Sequence, residues 1–367
     1  MIFNDTFRKK KVLITGHTGF KGSWLTVWLA KLGANIVGYS NEIPTNPSLF
    51  EAACLASHID HRIGDVRDLG LLMRTIDETR PDFIFHLAAQ AIVSVSYTDP
   101  IGTLSTNIVG TANMLEALRL LNHECTTVIV TSDKCYENVE WVWGYKETDA
   151  LGGRDIYSGS KGAAEIIFHA YFHSFFKRPD CRVRVATGRA GNVIGGGDWA
   201  KDRIVVDCMR SWSEGSPVEL RSPSATRPWQ HVLEPLSGYL TLAENLSKDI
   251  SLHGESFNFG PRAEQNQTVL QLMSDLSRHW NFATSEDAYR VIDNIPFHEA
   301  GLLKLNCDKA LHRLRWQATL NYDEVVRLVG QWYHGHYLGK VDMYAQTLDQ
   351  IQEYETLAFE RGATWSK

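Results

Sequence analysis

Tyr157 and Lys161 stand four residues apart in the stretch Asp155-Ile156-Tyr157-Ser158-Gly159-Ser160-Lys161. On a helix that spacing puts both side chains on one face, one turn apart. A phenol beside a fixed ammonium is a candidate acid/base, because the positive charge favours phenolate and draws the Tyr pKa toward working pH. Such a pair is common on solvated helix faces, and its place in the chain gives it weight. Thr131-Ser132-Asp133-Lys134 closes an apolar run shortly before it. Gly16-His17-Thr18-Gly19-Phe20-Lys21-Gly22 precedes it by the length of a nucleotide-binding sheet.

The elements that must position these residues alternate. Lys11–Thr15 reads as a buried strand, the glycine turn enters a helix with an apolar stripe over 23–32, Gly33 ends it, and 35–39 is a second strand. This is the opening unit of a dinucleotide-binding sheet: glycines admit a pyrophosphate close to the backbone, and the helix start offers free N–H groups and a positive dipole end. Gly16, Thr18, Gly19 and Phe20 are therefore candidate cofactor contacts, and Lys21 meets either a phosphate or solvent. The second strand ends Tyr39-Ser40-Asn41-Glu42, with Ser40 as the candidate there. No acid stands where a ribose reader is expected, so this position leaves NAD and NADP open.

A third strand is expected over 59–64, followed by Asp65 and Val66; Asp65 is a candidate for an adenine amino group or a turn residue, and Asp68 a helix cap. A fourth strand over 83–87 ends in Leu87-Ala88-Ala89-Gln90, where small residues let a flat cofactor pass. A helix over 105–121 carries Asn107. A fifth strand over 127–131 delivers Ser132, Asp133 and Lys134 to the carboxyl edge, where such sheets bind ligands. A long helix over 156–176 carries Tyr157 and Lys161, and a sixth strand spans 182–186.

The pattern predicts an α/β fold, a Rossmann-type doubly wound parallel sheet over 1–187, completed by a segment near 228–262. Residues 188–367 form a smaller, mainly C-terminal substrate lobe, beginning with a glycine-rich loop over 188–199 and holding helices near 203–214, 234–246, 268–280 and 323–338.

Composition bounds the function. The chain has 367 residues and 44% hydrophobic content, enough for one large domain or two fused ones. A net charge of -6 argues against a nucleic-acid binder. Six cysteines without short paired spacing read as reduced thiols of a cytoplasmic protein, with no metal site. His298-Glu299 lacks a second histidine at metal spacing. The apolar run after Lys9-Lys10-Lys11 is too short for a signal peptide, and no run approaches a membrane span.

Thr15-Gly16-x-x-Gly19-Phe20-x-Gly22, His86-Leu87-Ala88-Ala89-Gln90, Asn107-x-x-Gly110-Thr111 and Tyr157-x-x-x-Lys161 resemble the extended short-chain dehydrogenase/reductases that act on nucleotide sugars. The strings 16–24, 131–136, 191–199 and 227–232 look like the group within that family acting on CDP-glucose. The resemblance spans essentially the whole chain. It implies bound NAD, CDP-glucose as substrate, a 4-keto-6-deoxy product, and a homodimer or homotetramer. Nothing in spacing or composition reads cytosine.

The implied chemistry is an internal redox cycle: C4 of the hexose is oxidised, water leaves across C5 and C6, and the hydride returns to C6. Tyr157 is the base for the 4-hydroxyl, Lys161 lowers its pKa and holds the nicotinamide ribose, and Ser132 bonds the same sugar oxygen. Asp133 is the acid for the departing 6-hydroxyl, a role for which burial is expected to raise its pKa. Relatives acting on dTDP-sugars carry Asp-Glu here, so Lys134 is a departure. It serves the elimination either as C5 base or by polarising the ketone. Gln90, Arg189, Asn192 and Arg227 are candidate substrate contacts, the arginines because guanidinium grips phosphate at two points. His231 is carried with the substrate contacts, although as a residue it reads, like His86, as a packed histidine. His17 has no partner visible in sequence. A 4-epimerase on the same scaffold is the nearest rival, and it has no use for the Asp133-Lys134 pair. An NAD-sensing protein without catalysis would not need Tyr157 and Lys161.

Overall fold

In the computed structural model, which describes residues 1–262, 264–280, 282–292 and 302–367, the opening strand–turn–helix–strand unit starts a seven-stranded sheet. The strands are β1 (Lys11–Thr15), β2 (Asn35–Ser40), β3 (Asp60–Ile63), β4 (Phe83–His86), β5 (Cys125–Val130), β6 (Val183–Arg189) and β7 (Ser256–Asn258). Every pairing is parallel and the order is β7-β6-β5-β4-β1-β2-β3. Strand order reverses between β1 and β4, which opens a crevice at their carboxyl ends. His298 and Glu299 lie outside the described residues.

The longer helices are α1 (Phe20–Lys31), α2 (Leu69–Thr79), α3 (Gly110–Arg119), α4 (Ile156–Tyr171), α5 (Ile204–Ser213), α6 (Leu233–Lys248), α7 (Val269–Ser277), α8 (Tyr322–His334) and α9 (Met343–Glu360). They cover both faces, so the strands are apolar on both sides. Val12, Ile14, Phe83, Phe85 and Val128 pack in one core with Trp24 and Trp28 of α1 and Leu236 and Leu240 of α6. Leu13, Ile84, Ile129 and Val185 face the other way, onto Leu72 and Ile76 of α2, Met114 and Leu118 of α3 and Phe168 of α4. Each fully buried aliphatic side chain contributes about 1.5–3 kcal/mol.

Three features depart from expectation. First, β6 runs through Gly188 and Arg189, which pair with Phe257 and Asn258 of β7. Gly188 lies flat under Tyr239, where a Cβ would come within 2.8 Å of the ring, and Arg189 buries its charge against Glu165. Second, the helices expected over 105–121 and 156–176 contain wide π turns at Ser105–Val109 and Phe172–Phe176. Third, α9 returns from the chain end to α1: Trp28 Nε1 donates to Glu355 Oε1 at 2.8 Å, and Lys31 pairs with the same carboxylate at 2.5 Å. Among the described residues no helix is long and apolar enough to cross a membrane.

Candidate active site

The glycine turn has the shape a dinucleotide needs. Gly16 adopts φ +76°, and a Cβ there would lie 2.7 Å from Ala88 N. A Cβ on Gly22 would lie 2.1 Å from Gly16 O, so only glycine lets α1 start this close to β1. Gly19 caps α1 without a side-chain hydrogen bond, leaving first-turn N–H groups for an anion. This cradle fits the pyrophosphate of NAD, with Gly16, Thr18, Gly19 and Phe20 on the turn. Thr18 N approaches Ser40 Oγ at 3.4 Å and Thr18 Oγ1 donates to Glu42 O.

His17 has partners that sequence did not reveal. Its ring is buried, shares hydrogen bonds with Ser40 Oγ (2.9 Å) and His61 Nδ1 (2.7 Å), and burial beside His61 lowers its pKa to about 4. Asp65 accepts from Arg67 N at 2.8 Å and pairs with that guanidinium at 2.6 Å. Val66 is buried beneath Gly110, and Leu87, Ala88, Ala89 and Gln90 are half-buried beyond the end of β4. Asn107, in the π turn, accepts from Gln90 N at 2.8 Å and donates to Gln90 O and to Ser160 Oγ of α4. One buried amide thus ties the end of β4 to the helix of Tyr157 and Lys161.

Beyond β5, Ser132 caps the short turn Asp133–Cys135, its Oγ accepting from Lys134 N at 3.2 Å and donating to Asp133 Oδ1 at 3.0 Å. The turn packs on α4. Ser132 and Asp133 are buried and Lys134 is half-buried. Tyr157 is buried, and that burial with the Asp133 charge pushes its pKa up to about 12; the Ser132 side chain, in reach of the phenol, opposes the rise. Desolvation outweighs the lowering expected from Lys161, whose ammonium lies 5.8 Å from the Tyr157 ring centre. Lys161, 6% exposed, is itself lowered by burial to about 8, with Cys135 and Glu165 holding it up.

Two cations complete the crevice. Lys21 is half-buried in the field of this site: burial and the charge of Arg203 lower its pKa to about 8, with Asp133, Lys161 and Asp198 nearby. Arg203, which sequence reasoning missed, precedes α5, pairs with Asp198 and lies in the field of Tyr157. No local motif marks it. Asn192 lines a narrow cleft with Asp133, Gly191, Pro228, Gln230 and Gly260. Arg227 sits on a short strand, Thr226–Arg227, paired antiparallel with Gln267–Thr268.

Two expected substrate contacts are corrected. Arg189 is fully buried, and its guanidinium is committed to Glu165 of α4 at 2.8 Å and to the Tyr136 hydroxyl at 2.7 Å. A buried cation must be paired where it lies, so it offers no grip on a phosphate. His231 is fully buried, packs edge-on against Trp24 at 5.6 Å and accepts from Leu233 N through Nδ1. His86 is also buried, with Nδ1 against Thr15 Oγ1 at 2.8 Å, as expected of a packed histidine.

The family profile described as GDP-mannose 4,6 dehydratase matches residues 13–329. The chain belongs to this family. Its members fall within the extended short-chain dehydrogenase/reductases that the motifs resemble. The chain is 44% identical over 359 residues to the CDP-glucose 4,6-dehydratase of Salmonella typhimurium, covering 96% of this chain and 98% of that one. The fold is shared with the dTDP-glucose 4,6-dehydratase of Bacillus anthracis in complex with NAD (TM-score 0.73, 20% identity, 89% of this chain and 96% of that one). It is shared equally with that of Streptomyces venezuelae with NAD and TYD bound (TM-score 0.75, 19% identity, 91% and 99%).

Proposed function

We propose that this protein is an NAD-dependent hydro-lyase that converts CDP-glucose to CDP-4-keto-6-deoxyglucose. The observation that carries this reading is a buried carboxyl, Asp133, on the turn packed against the Tyr157 helix, in a chain 44% identical to a CDP-glucose 4,6-dehydratase along nearly its whole length. A redox pair alone would suit an epimerase, whereas an acid beside it supports elimination.

NAD would be held by the Gly16–Lys21 turn and by Lys161, and when bound would supply the hydride acceptor and donor that the internal redox cycle needs. The protein's own groups move the protons. Tyr157 removes the 4-hydroxyl proton, helped by Ser132 at the same oxygen. The Lys161 charge favours phenolate at the moment of reaction. Asp133 protonates the leaving 6-hydroxyl. Lys134, on the same turn, serves the elimination at C5. Asn192 and Arg227 hold the nucleotide sugar, with Gln90 at the sugar side. Lys21 and Arg203 add positive charge for its diphosphate.

The protein works in the cytoplasm as a homo-oligomer. Exposed Ile101, Val109 and Ile166 on neighbouring helical segments support self-association. The test is turnover of CDP-glucose deuterated at C4, read by NMR. A 4-keto-6-deoxy product with deuterium at C6 is expected. A galacto-configured product with deuterium at C4 would assign an epimerase instead.

A further inference from the structure

Glu165 and Arg189 form an ion pair with no exposure on either side chain, at the junction of the elements that carry the chemistry. Glu165 follows Lys161 by four residues and Tyr157 by eight, so the three side chains run along one stripe of α4. Its carboxylate accepts from Arg189 Nε (2.9 Å) and Nη2 (2.8 Å), from Thr187 Oγ1 (3.1 Å), from Ser256 Oγ (3.3 Å) and from the Thr131 hydroxyl. Arg189 Nη1 donates to the Tyr136 hydroxyl, which donates to Asn258 Oδ1 at 2.8 Å, and the guanidinium lies 5.0 Å over the Tyr136 ring. Thr131 and Tyr136 are the residues on either side of the Ser132–Cys135 turn. Two residues beyond Arg189, Gly191 lies so close to Asp133 that a Cβ would come within 1.9 Å of Oδ2.

A buried ion pair is a weak source of stability, because desolvation offsets its attraction, and its best-attested use is to specify one arrangement. Here Glu165 belongs to the helix bearing Tyr157 and Lys161, and the pair is bonded to Thr131 and Tyr136, on either side of the turn bearing Ser132, Asp133 and Lys134. We propose that Glu165 and Arg189 are a positioning pair: they clamp the Ser132–Lys134 turn and the strand end leading to Asn192 against the Tyr157–Lys161 face. The oxidation and elimination groups are thereby aligned on one sugar. Neither residue touches substrate or cofactor. The inference rests on the function proposed above.

The test uses full-length, NAD-loaded protein and two variants. Glu165→Leu with Arg189→Met removes both charges while keeping bulk, so no lone buried charge remains; Arg189→Lys keeps the charge and loses the fork. Three quantities are read: kcat and KM with CDP-glucose, reduced cofactor by its near-UV absorbance during turnover, and hydrogen exchange of peptides over 131–136. The double variant is expected to lose kcat about 100-fold, as for a misplacement near 1 Å, with KM changed by less than about threefold. Reduced cofactor accumulates and exchange over 131–136 accelerates at least about tenfold. Arg189→Lys falls between it and the wild type. A folded double variant with wild-type kcat or unchanged exchange over 131–136 overturns the proposal, as does an activity loss matched by loss of folded protein without reduced cofactor. Should the double variant not fold, Arg189→Lys decides by the same readouts. Should the wild type leave CDP-glucose unreacted, the functional reading fails, and the exchange measurement still decides the clamp.

Discussion

Tyr157 and Lys161 are both held against their solution preferences. The phenol is pushed up to about 12 and the ammonium down to about 8, chiefly by burial. Tyr157→Phe keeps the ring and removes the proton acceptor, so turnover is expected to fall about 10²–10⁴-fold while the urea unfolding midpoint barely moves. Wild-type-like turnover in that variant would remove Tyr157 from the mechanism. Lys161 has a stability signature of its own. Its folded pKa, about 8, lies below the ordinary 10.5, so the folded state binds fewer protons between these values and stability rises with pH across that window. Below pH 8 the buried charge costs about 3 kcal/mol. Lys161→Met is expected to be inactive yet more stable than wild type near pH 7, with the gap closing toward pH 10.5; urea titrations at several pH values measure it. A variant less stable than wild type at neutral pH would refute this account.

At the scale of elements, the turn into α1 is where sequence and shape agree most closely. Gly22 has no room for a Cβ, which would meet Gly16 O at 2.1 Å. Gly22→Ala must push α1 away from β1 and spoil the anion cradle. NAD affinity is expected to drop at least about tenfold, corresponding to 1.4 kcal/mol, by titration of tryptophan fluorescence. An unchanged affinity would mean that the cofactor phosphates are held elsewhere. The strands, the glycine turn and the helix of Tyr157 were legible because each carries a local signal: a short apolar run, a glycine at a close approach, a period of 3.6. The length of β6 was not. Gly188 and Arg189 read as loop residues, and only the pairing with β7 and the burial against Glu165 make them strand.

At the scale of the molecule, the two chain ends are stapled together. Phe3 stacks on Trp365 at 4.9 Å, Tyr354 of α9 stacks on Trp365 at 5.7 Å, and Trp28 of α1 meets the cluster edge-on. The tail therefore covers the face of the nucleotide-binding half. Trp365→Ala, at a position only 2% exposed, is expected to cost about 3–5 kcal/mol, read as a lower urea midpoint for the whole transition. A loss confined to the tail, with the rest unfolding as in wild type, would show that the ends are not part of one cooperative unit.

The sequence by itself determined the fold class, the cofactor turn, and the grouping of Ser132, Asp133 and Lys134 at a sheet edge near Tyr157 and Lys161. These follow from periodicity, glycine placement and strand-to-loop order, all of which are local. Tertiary structure alone decided which cations share the field of the crevice. Arg189 and Arg203 look alike as sequence, two arginines flanking one glycine-rich loop. Arg189 is enclosed with Glu165 and cannot reach a ligand, whereas Arg203 and Lys21 share the field of the crevice. Charge in a protein is assigned by its burial and its partners, and those partners come from segments far apart in the chain: Glu165 from α4 and Arg189 from β6, Lys21 from α1 and Arg203 from the entry to α5.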